Sequence, residues 1–399
     1  MSAHSSTSSS RLIEPGYLKW LLGGAVGWAC FFFAFTWVID PYGVSPLGVR
    51  LTRLNDIKPK RLDIDRLVKP YEVWRYQPRT VFLGSSRIHQ SIDPSMLGGT
   101  RFAPAYNASV PAVSLSANLG YLRHYDRLDG NLKTVVEELF VYKFFGRGED
   151  NPTFTLTNFA ANFAILMLSA DALRASFFTL AHNILSGVPI QEVKPGGYFY
   201  YPPGLDTQGS FSGFPAGIWD IYRKNAGKYK LDEATMESVK QTNAAAKNAG
   251  IELIWIVTPY HAYFDYFLEL AGEWDLMETW LKRLSAEAPV YSFSQPNEWV
   301  YENVSPRMTY WNDPFHFSLR MGEGIQTSLA GLPMPGRPDN FMVRLTPDKV
   351  DEHITQRRAA IRAWTAQHPD FAAAMEAERQ KYVAERAAQA ANETATTKK

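Results

Sequence analysis

Two short motifs contain the side chains that a serine nucleophile requires. The first is an apolar run that ends in Gly84 followed by Ser85 and Ser86, and the second places Asp313 three residues before His316. A serine hydroxyl becomes nucleophilic when an imidazole accepts its proton and a carboxylate orients that imidazole. If the two motifs meet in the fold, they predict a Ser-His-Asp centre for acyl chemistry.

The position of Ser86 after an apolar run favours a catalytic role. Residues 80–83 have the composition of a buried strand, and Gly84 ends it. A serine in a strand-to-helix turn lies near backbone N–H groups that can stabilise an oxyanion. Glycine and serine also fill ordinary turns, and an Asp in a polar turn can simply cap a helix, so each motif alone is weak.

The chain alternates strand-like and helix-like segments, which predicts an α/β fold with a parallel central sheet and crossover helices. Predicted strands lie just before Asn107 and at 134–145, 251–257 and 290–293, and predicted helices at 114–128, 231–249 and 274–286. The pair Asp313 and His316 follows the last of these strands, where both side chains can point at a neighbouring strand end.

Two regions depart from this alternation. Residues 147–230 combine helix-like sequence with a Gly/Pro/Tyr-rich stretch, and we interpret them as an inserted lobe. This lobe either covers the site or is a surface excursion without a role. Residues 341–399 are charged and Ala-rich, which predicts a helical appendage with a disordered tail. The main domain is then 40–340.

One apolar segment predicts a membrane anchor. Residues 18–39 carry a single charge, Lys19, and exceed the about 20 residues that a helix needs to cross a bilayer. The apolar region of a cleavable signal peptide is about 7–15 residues long and ends in small residues, whereas this one ends in bulky side chains. We therefore expect an uncleaved, single-pass anchor after a disordered cytoplasmic stub at 1–17.

Charge and cysteine content limit the compartment and the partners. Arg11 and Lys19 lie at the start of the chain, and no basic residue follows the anchor before Arg50, which favours a cytoplasmic N-terminus. The protein would then lie in the inner (cytoplasmic) membrane with its body in the periplasm or outside the cell. A net charge of +1 without basic runs argues against nucleic acid as a partner. The only cysteine, Cys30, lies in the anchor.

At these motifs the chain resembles the SGNH (GDSL-like) hydrolase family, and more narrowly its membrane-anchored members linked to polysaccharide O-acetylation of the alginate type. Gly84 and the two serines match the family's Gly-Asp-Ser block, with Ser86 in the nucleophile position and Ser85 in place of Asp. Asp313 and His316 match its last block. The resemblance implies a three-layer α/β sandwich and a Ser86–His316–Asp313 triad.

The middle blocks of the family concern the oxyanion. Asn107 begins a match to the second block, in which Ala112 stands where the family has a Gly that donates its backbone N–H. The third block departs, because residues 140–143 lack the family's oxyanion-binding Asn. The resemblance thus implies an oxyanion site built from the N–H groups of Ser86 and Ala112. Either Asn107 or Tyr142 is the further donor, or the oxyanion site is weaker than that of the family.

The function implied by this resemblance is a membrane-anchored serine O-acyl (acetyl) transferase or esterase that acts on an extracellular polysaccharide without a cofactor. A transferase needs acetyl delivered across the membrane, which implies a membrane-embedded acyl-delivery protein and other polysaccharide export components as partners. Two alternatives stay open: a catalytically degenerate carbohydrate-binding or assembly subunit of such an export system, and a lipid esterase at the membrane surface.

Three further residues are candidates for the site. Arg87 follows the nucleophile and either binds a carboxylate or backbone carbonyl or forms a structural ion pair. His261 lies in a loop after a strand and either faces the cleft or is a hydrogen-bonded loop histidine. Trp311 either stacks on a sugar ring or packs in the core. The eight histidines show no metal-ligand spacing, so no metal site is predicted.

Overall fold

The computed structural model describes residues 15–128, 130–141, 156–186, 190–200, 207–224 and 230–397. The chain divides into two compact units. The first comprises the described residues of Met1–Asp63 and Ala160–Val188, and the second comprises those of Ile64–Phe159 and Pro189–Lys399. The apolar N-terminal helix belongs to the first unit, and the central sheet belongs to the second.

Helices occupy most of the described chain. In order, they are α1 (Pro15–Ile39), α2 (Asp65–Tyr76), α3 (Ser86–Ser91), α4 (Leu115–Leu128), α5 (Leu156–Leu168), α6 (Ala170–Ala181), α7 (Thr207–Ser212), α8 (Phe214–Lys224), α9 (Glu233–Ala249), α10 (Ala262–Leu270), α11 (Trp274–Glu287), α12 (Leu319–Leu329), α13 (Val350–Gln367) and α14 (Pro369–Thr397). A π-helical turn, His182–Ser186, continues α6.

The strands are short. They are β1 (Thr80–Leu83), β2 (Ala105–Asn107), β3 (Thr134–Leu139), β4 (Glu192–Val193), β5 (Phe199–Tyr200), β6 (Glu252–Val257), β7 (Val290–Ser292) and β8 (Val343–Leu345). Six of them form one sheet in the order β2-β1-β3-β6-β7-β8, and β4 and β5 form a separate hairpin. All pairs in the large sheet are parallel except β7 with β8. The predicted α/β fold with a mostly parallel central sheet is confirmed.

Apolar side chains cover both faces of the sheet. In β6, Trp255 and Val257 belong to one buried cluster, while Ile254 and Ile256 belong to another. Successive side chains of a strand point to opposite faces, so the two clusters lie on opposite sides. A parallel sheet covered on both faces needs nearly continuous apolar strands, which explains why β1 is buried along its whole length.

The strand order reverses next to β1. The chain passes from β1 to β2 on one side and then to β3 on the other side. In open parallel sheets, ligands bind beyond the carboxyl ends of the strands at such a switch point. Ser86 follows the carboxyl end of β1 and begins α3, so the topology places it at this position.

The region predicted to be a C-terminal appendage is instead part of the second unit. Strand β8 pairs with β7, and α13 packs against α10 and α11. Four residues of α13 at helical spacing are buried: Ile354, Arg357, Ile361 and Trp364. The charged composition of α13 concealed this stripe, because one of the buried residues is itself charged. Asp265 neutralises Arg357, and its Oδ2 lies 2.8 Å from the Arg357 Nε. The boundary predicted at residue 340 therefore falls inside the fold.

The predicted insert is divided between the two units. Its helix-like part forms α5 and α6, which are separated at Ser169, whose Oγ caps α6 by accepting from the N–H of Ala172 at 3.0 Å. From Ala160 these residues group with the first unit. The Gly/Pro/Tyr-rich part contains the β4–β5 hairpin and groups with the second unit, while residues 201–206 lie outside the described chain.

The N-terminal helix agrees with the predicted span. Gly16–Ile39 contains 24 residues with a mean hydropathy of 1.8, which is long and apolar enough to cross a membrane. At about 1.5 Å rise per residue, such a helix exceeds the about 30 Å hydrocarbon thickness of a bilayer.

Candidate active site

Ser86 is the first residue of a helix that begins immediately after β1. Ser85 caps this helix, because its Oγ accepts the N–H of Arg87 at 3.3 Å. The first N–H groups of a helix have no acceptor within the helix itself. The backbone N–H of Ser86 is therefore directed out of α3, beside its own hydroxyl, as an oxyanion donor must be.

Asp313 and His316 lie on one tight turn whose shape the carboxylate itself maintains. Oδ1 of Asp313 accepts the backbone N–H groups of Phe315 at 2.8 Å and His316 at 3.0 Å. Oδ2 lies 2.7 Å from Nδ1 of the His316 ring. Burial opposes ionisation of Asp313, but the hydrogen bond from His316 and those from the backbone outweigh it and lower the pKa of this carboxyl. One carboxylate thus fixes both the turn and the imidazole.

The three side chains meet in the order that nucleophilic catalysis requires. Oγ of Ser86 lies 2.9 Å from Nε2 of His316, and Nδ1 of the same ring faces Asp313. The side chains of His316 and Asp313 are 23% and 31% exposed, so solvent and solutes reach the site. The structure therefore brings together the three residues that the sequence predicted to meet.

Close packing of α12 on α3 brings the two motifs together. Gly322 of α12 lies against the end of α3, where an added Cβ would be 1.6 Å from the carbonyl oxygen of Ser91. The Ser91 hydroxyl donates a hydrogen bond to the carbonyl of Phe317, the residue after His316. Only glycine permits the two helices to approach so closely. This close packing determines the distance between His316 and Ser86.

A buried carboxylate supports the serine turn from the neighbouring strand. Glu138 of β3 accepts the N–H of Ser85 through Oε2 at 2.7 Å and the hydroxyl of Thr258 through Oε1 at 3.0 Å. Arg87 lies with Nε 3.4 Å from the same carboxylate, and its guanidinium also donates to the carbonyl of Pro259. Burial lowers the pKa of Arg87, and the charge of Glu138 opposes that change.

Arg87 thus forms a structural ion pair with Glu138 and also binds a backbone carbonyl of the protein, that of Pro259. Its side chain is buried, and the ring of Phe140 lies 4.5 Å from its guanidinium carbon. Glu138 was not singled out from the sequence. The signal that could have found it is a pair of acidic residues, Glu137 and Glu138, in a strand that is buried along its whole length, because a buried carboxylate must find hydrogen-bonded partners.

The side-chain amide of Asn107 forms its hydrogen bonds with the protein backbone. Its Nδ2 donates to the carbonyls of Ile88 at 2.8 Å and Ile92 at 2.9 Å, and its Oδ1 accepts the N–H of Ser109 at 3.1 Å. It thereby gives the carbonyl of Ile88, which already accepts the N–H of Ile92 at 3.1 Å, a second donor, and it gives a donor to the carbonyl of Ile92 just after α3. The prediction that Asn107 helps to bind the oxyanion is not supported, because both amide hydrogens are already donated.

Ala112 lies in the left-handed region with φ 54°, where glycine is favoured because a Cβ is strained. Nη2 of Arg66, on α2, donates to the carbonyl of Pro111 at 2.8 Å. This carbonyl and the N–H of Ala112 belong to one planar amide and point in opposite directions. By holding the Pro111 carbonyl, Arg66 therefore fixes the direction of the Ala112 N–H on the opposite side of the same peptide group.

The preceding part of this loop is also held by α2. Lys69 is buried, and its ammonium donates to three carbonyls: Asn107 at 2.9 Å, Gly197 at 2.8 Å, and Ser109. It also lies 3.3 Å from the carboxylate of Asp65. The loop between β2 and α4 is thus fixed by two cations of a single helix.

Neither a family model nor a curated protein sequence matches this chain. The chemistry of the site therefore rests on its own geometry, in which a hydroxyl, an imidazole and a carboxylate are joined by two hydrogen bonds at a sheet switch point.

His261 and Trp311 lie in the core and not at the site surface. Both ring nitrogens of His261 are used, with Nε2 2.9 Å from the carbonyl of Glu302 and Nδ1 accepting the N–H of Tyr263 at 3.2 Å. Burial lowers the pKa of His261 to about 3. Trp311 is fully buried, and its Nε1 donates to the carbonyl of Trp299 at 3.1 Å. The cleft-facing and sugar-stacking alternatives for these residues are therefore corrected.

Two remaining predictions concern an oxyanion donor and metals. Tyr142 lies outside the described residues, so its part in the site stays a prediction. Within the described residues, no group of three or more His, Cys, Asp or Glu side chains is arranged to hold a metal ion.

Proposed function

We propose that the protein is a serine acyl-transfer enzyme in which Ser86 carries the acyl group. The observation that carries this proposal is the pair of hydrogen bonds from Ser86 Oγ to His316 Nε2 at 2.9 Å and from His316 Nδ1 to Asp313 Oδ2 at 2.7 Å. This is the arrangement in which a histidine can remove the serine proton while a carboxylate stabilises the resulting imidazolium.

In the first half-reaction, Oγ of Ser86 attacks the carbonyl carbon of an ester and its proton moves to Nε2 of His316. The tetrahedral oxyanion then collapses, the bond from carbon to the leaving oxygen breaks, and His316 returns the proton to the leaving alcohol. In the second half-reaction, water or a sugar hydroxyl gives its proton to His316 and attacks the acyl group. Ser86 recovers the proton as it is released.

The backbone N–H groups of Ser86 and Ala112 are the proposed oxyanion donors. The bond from Arg66 to Pro111 orients the second of them. Asn107 has no amide hydrogen left for this purpose. Removal of one oxyanion donor costs about 100- to 1000-fold in rate, so acylation is slower by this order unless Tyr142 supplies the third donor.

The substrate and location follow from the resemblance to SGNH enzymes of polysaccharide O-acetylation. The proposed reaction moves or removes an acetyl group on an extracellular polysaccharide, and α1 anchors the enzyme in the cytoplasmic membrane with its body outside the cytoplasm. A transferase would receive acetyl from a membrane-embedded protein. The apolar length of α1 supports anchoring, and the exposure of His316 is compatible with a large acceptor.

The test is intact mass spectrometry of the full-length protein in detergent micelles after exposure to a fluorophosphonate or an activated acetyl ester. We expect one covalent adduct on the wild type and none on Ser86→Ala. Ser85→Ala is the matched control, because it removes the neighbouring hydroxyl and weakens the helix cap but leaves the nucleophile. An unmodified wild type that is folded by circular dichroism would overturn the proposal in favour of a binding or assembly subunit.

A further inference from the structure

The first unit carries a stripe of exposed apolar side chains outside α1. Along α6 and the π-helical turn that follows it, the outward residues recur at helical spacing. The stripe is polar at its start, where Asp171 and Arg174 are 82% and 81% exposed. It is apolar in its second half. With two residues at the end of α5, the large exposed apolar side chains are Ile165, Leu168, Phe177, Phe178, Ile184 and Leu185.

This stripe is continuous with the apolar surface of α1. The ring of Phe177 lies 4.8 Å from the ring of Phe35, which is one turn before the end of α1. The ring of Phe163, on α5, lies 6.1 Å from that of Trp37. The apolar half of α6 is therefore at the level where a spanning α1 would leave the hydrocarbon, a depth at which aromatic side chains concentrate.

The polar end of α6 lies beyond the end of α1. The backbone carbonyl of Asp171 accepts a hydrogen bond from the hydroxyl of Tyr42 at 3.4 Å, and Tyr42 follows the last residue of α1, Ile39. Along its length, α6 thus passes from the side that α1 assigns to water, at Asp171, to the level of Phe35, one turn inside the end of α1. Arg174 and Leu185 lie on the same stripe at opposite ends of this gradient.

The segment after α1 is folded onto the end of the helix. Nδ2 of Asn55 donates to the carbonyl of Val38 at 2.9 Å, and the Lys58 ammonium donates to the carbonyl of Asp40 at 2.5 Å. The backbone of Ile57 exchanges two hydrogen bonds with the side chain of Asn183, at 3.0 and 2.8 Å. The carbonyl of Val38 at the end of α1 and that of Asp40, just after the helix, are thereby satisfied by protein groups, as a helix end near lipid requires.

We propose that the α5–α6 segment is an interfacial membrane element whose apolar half enters the lipid bilayer beside α1. The partner is the bilayer itself, and the proposal rests on the proposed membrane anchoring of α1. A surface that needed only to be soluble would leave few contiguous apolar side chains exposed. An element with a polar end and an apolar end, attached to a span at its exit, has the character of a helix that lies in the membrane interface.

The test is depth-dependent fluorescence quenching in full-length protein reconstituted into phosphatidylcholine–phosphatidylglycerol nanodiscs. Cys30, the only cysteine, is exposed on α1 and takes an environment-sensitive thiol label directly. In a Cys30→Ser background, Leu185→Cys and Arg174→Cys place the same label at the two ends of the stripe. Both positions are strongly exposed, at 83% for Leu185 and 81% for Arg174, so the substitutions disturb no packing.

We expect blue-shifted emission and strong quenching by spin-labelled lipid acyl chains at Cys30 and Leu185→Cys, and neither effect at Arg174→Cys. Quenching at Cys30 without quenching at Leu185→Cys would overturn the interfacial element while leaving the anchor intact. Absence of quenching at all three positions would overturn the anchor as well. Equal quenching at Leu185→Cys and Arg174→Cys would contradict the predicted gradient, and with it the interfacial placement.

Discussion

Gly322 and the carbonyl of Ser91 lie so close that no other residue fits between α12 and α3: an added Cβ would be 1.6 Å from the carbonyl oxygen. Both residues lie outside the site itself. Gly322 follows His316 in the chain, and Ser91 is the last residue of α3, the helix that begins at Ser86. The separation of Ser86 and His316 is therefore set by helix packing rather than by either motif alone.

Gly322→Ala should separate the two helices and damage the site together with the fold. We expect a loss of about 1–3 kcal/mol in the free energy of unfolding, as for overpacked cores, and loss of the Ser86 adduct even in the fraction that stays folded. Urea unfolding and intact mass measure these effects. The control is Gly217→Ala in α8, where a Cβ meets no atom within 4 Å. An unchanged adduct in Gly322→Ala would contradict the packing argument.

Asp313→Asn should preserve the turn and lose the chemistry. The amide oxygen can still accept the backbone N–H groups of Phe315 and His316, but the amide nitrogen now faces Nδ1 of His316 as a donor. The ring is then held in the wrong tautomer, and acylation should fall by about 10⁴-fold. Stopped-flow release from an activated ester measures the rate. A thermal midpoint close to that of the wild type is expected, and a rate close to wild type would remove Asp313 from the mechanism.

Arg66→Met should slow acylation without abolishing binding. The bond from Arg66 to Pro111 orients the Ala112 N–H, so its loss misdirects one of the two proposed oxyanion donors. We expect kcat to fall by about 10-fold, below the about 100- to 1000-fold cost of deleting a donor, with KM little changed. Arg66→Lys should recover part of kcat. A change confined to KM, or no recovery by lysine, would show that Arg66 is not a positioning residue.

Stability should fall steeply in mild acid. Burial lowers the pKa of His261 to about 3, and burial followed by the charge of Arg357 lowers the pKa of His353 to about 3. In the unfolded chain the pKa of both histidines is about 6.5. As the pH falls, the unfolded state therefore binds protons before the folded state does. The free energy of unfolding is highest above about pH 6.5 and falls towards pH 3, by about 1.4 kcal/mol per pH unit for each histidine.

Urea unfolding at pH 7.5 and 5.5 measures this dependence. His353→Gln removes one of the two groups and should reduce the loss between these pH values, although it also removes a hydrogen bond to Gln295 of 2.7 Å. The comparison is therefore between the pH slopes and not between the absolute stabilities. Identical slopes in the wild type and the variant would contradict the assignment of a buried, neutral His353.

The sequence predicted the parts of the fold that depend on periodicity and strand ends. The strand that ends before Gly84 and the turn with Asp313 and His316 were both identifiable, because their local composition determines their structure. The support for the site was not identifiable. Arg66 and Lys69 lie in a stretch of mixed composition, and their partners are backbone carbonyls, which leave no trace in residue types.

Burial of polar and aromatic side chains was the other limit. His261 follows the end of a strand, and Trp311 lies just before the motif of Asp313 and His316. Both positions are equally typical of residues that line a cleft. Whether such a side chain faces solvent depends on what packs over it, and the buried rings around His261, including Phe211 at 4.8 Å and Trp311 at 5.2 Å, come from distant parts of the chain. Periodicity contains no information on that choice.

The first unit is discontinuous in the chain, and this fixes an order of assembly during synthesis. Helix α1 is made first, whereas α6, which packs against its end, begins only at Ala170. By then the ribosome has already completed β1, β2 and β3, while β6, β7 and β8 are still to be made. A nascent chain that stalls between β3 and α6 would hold an N-terminal helix without its packing partner and a sheet with only half of its strands.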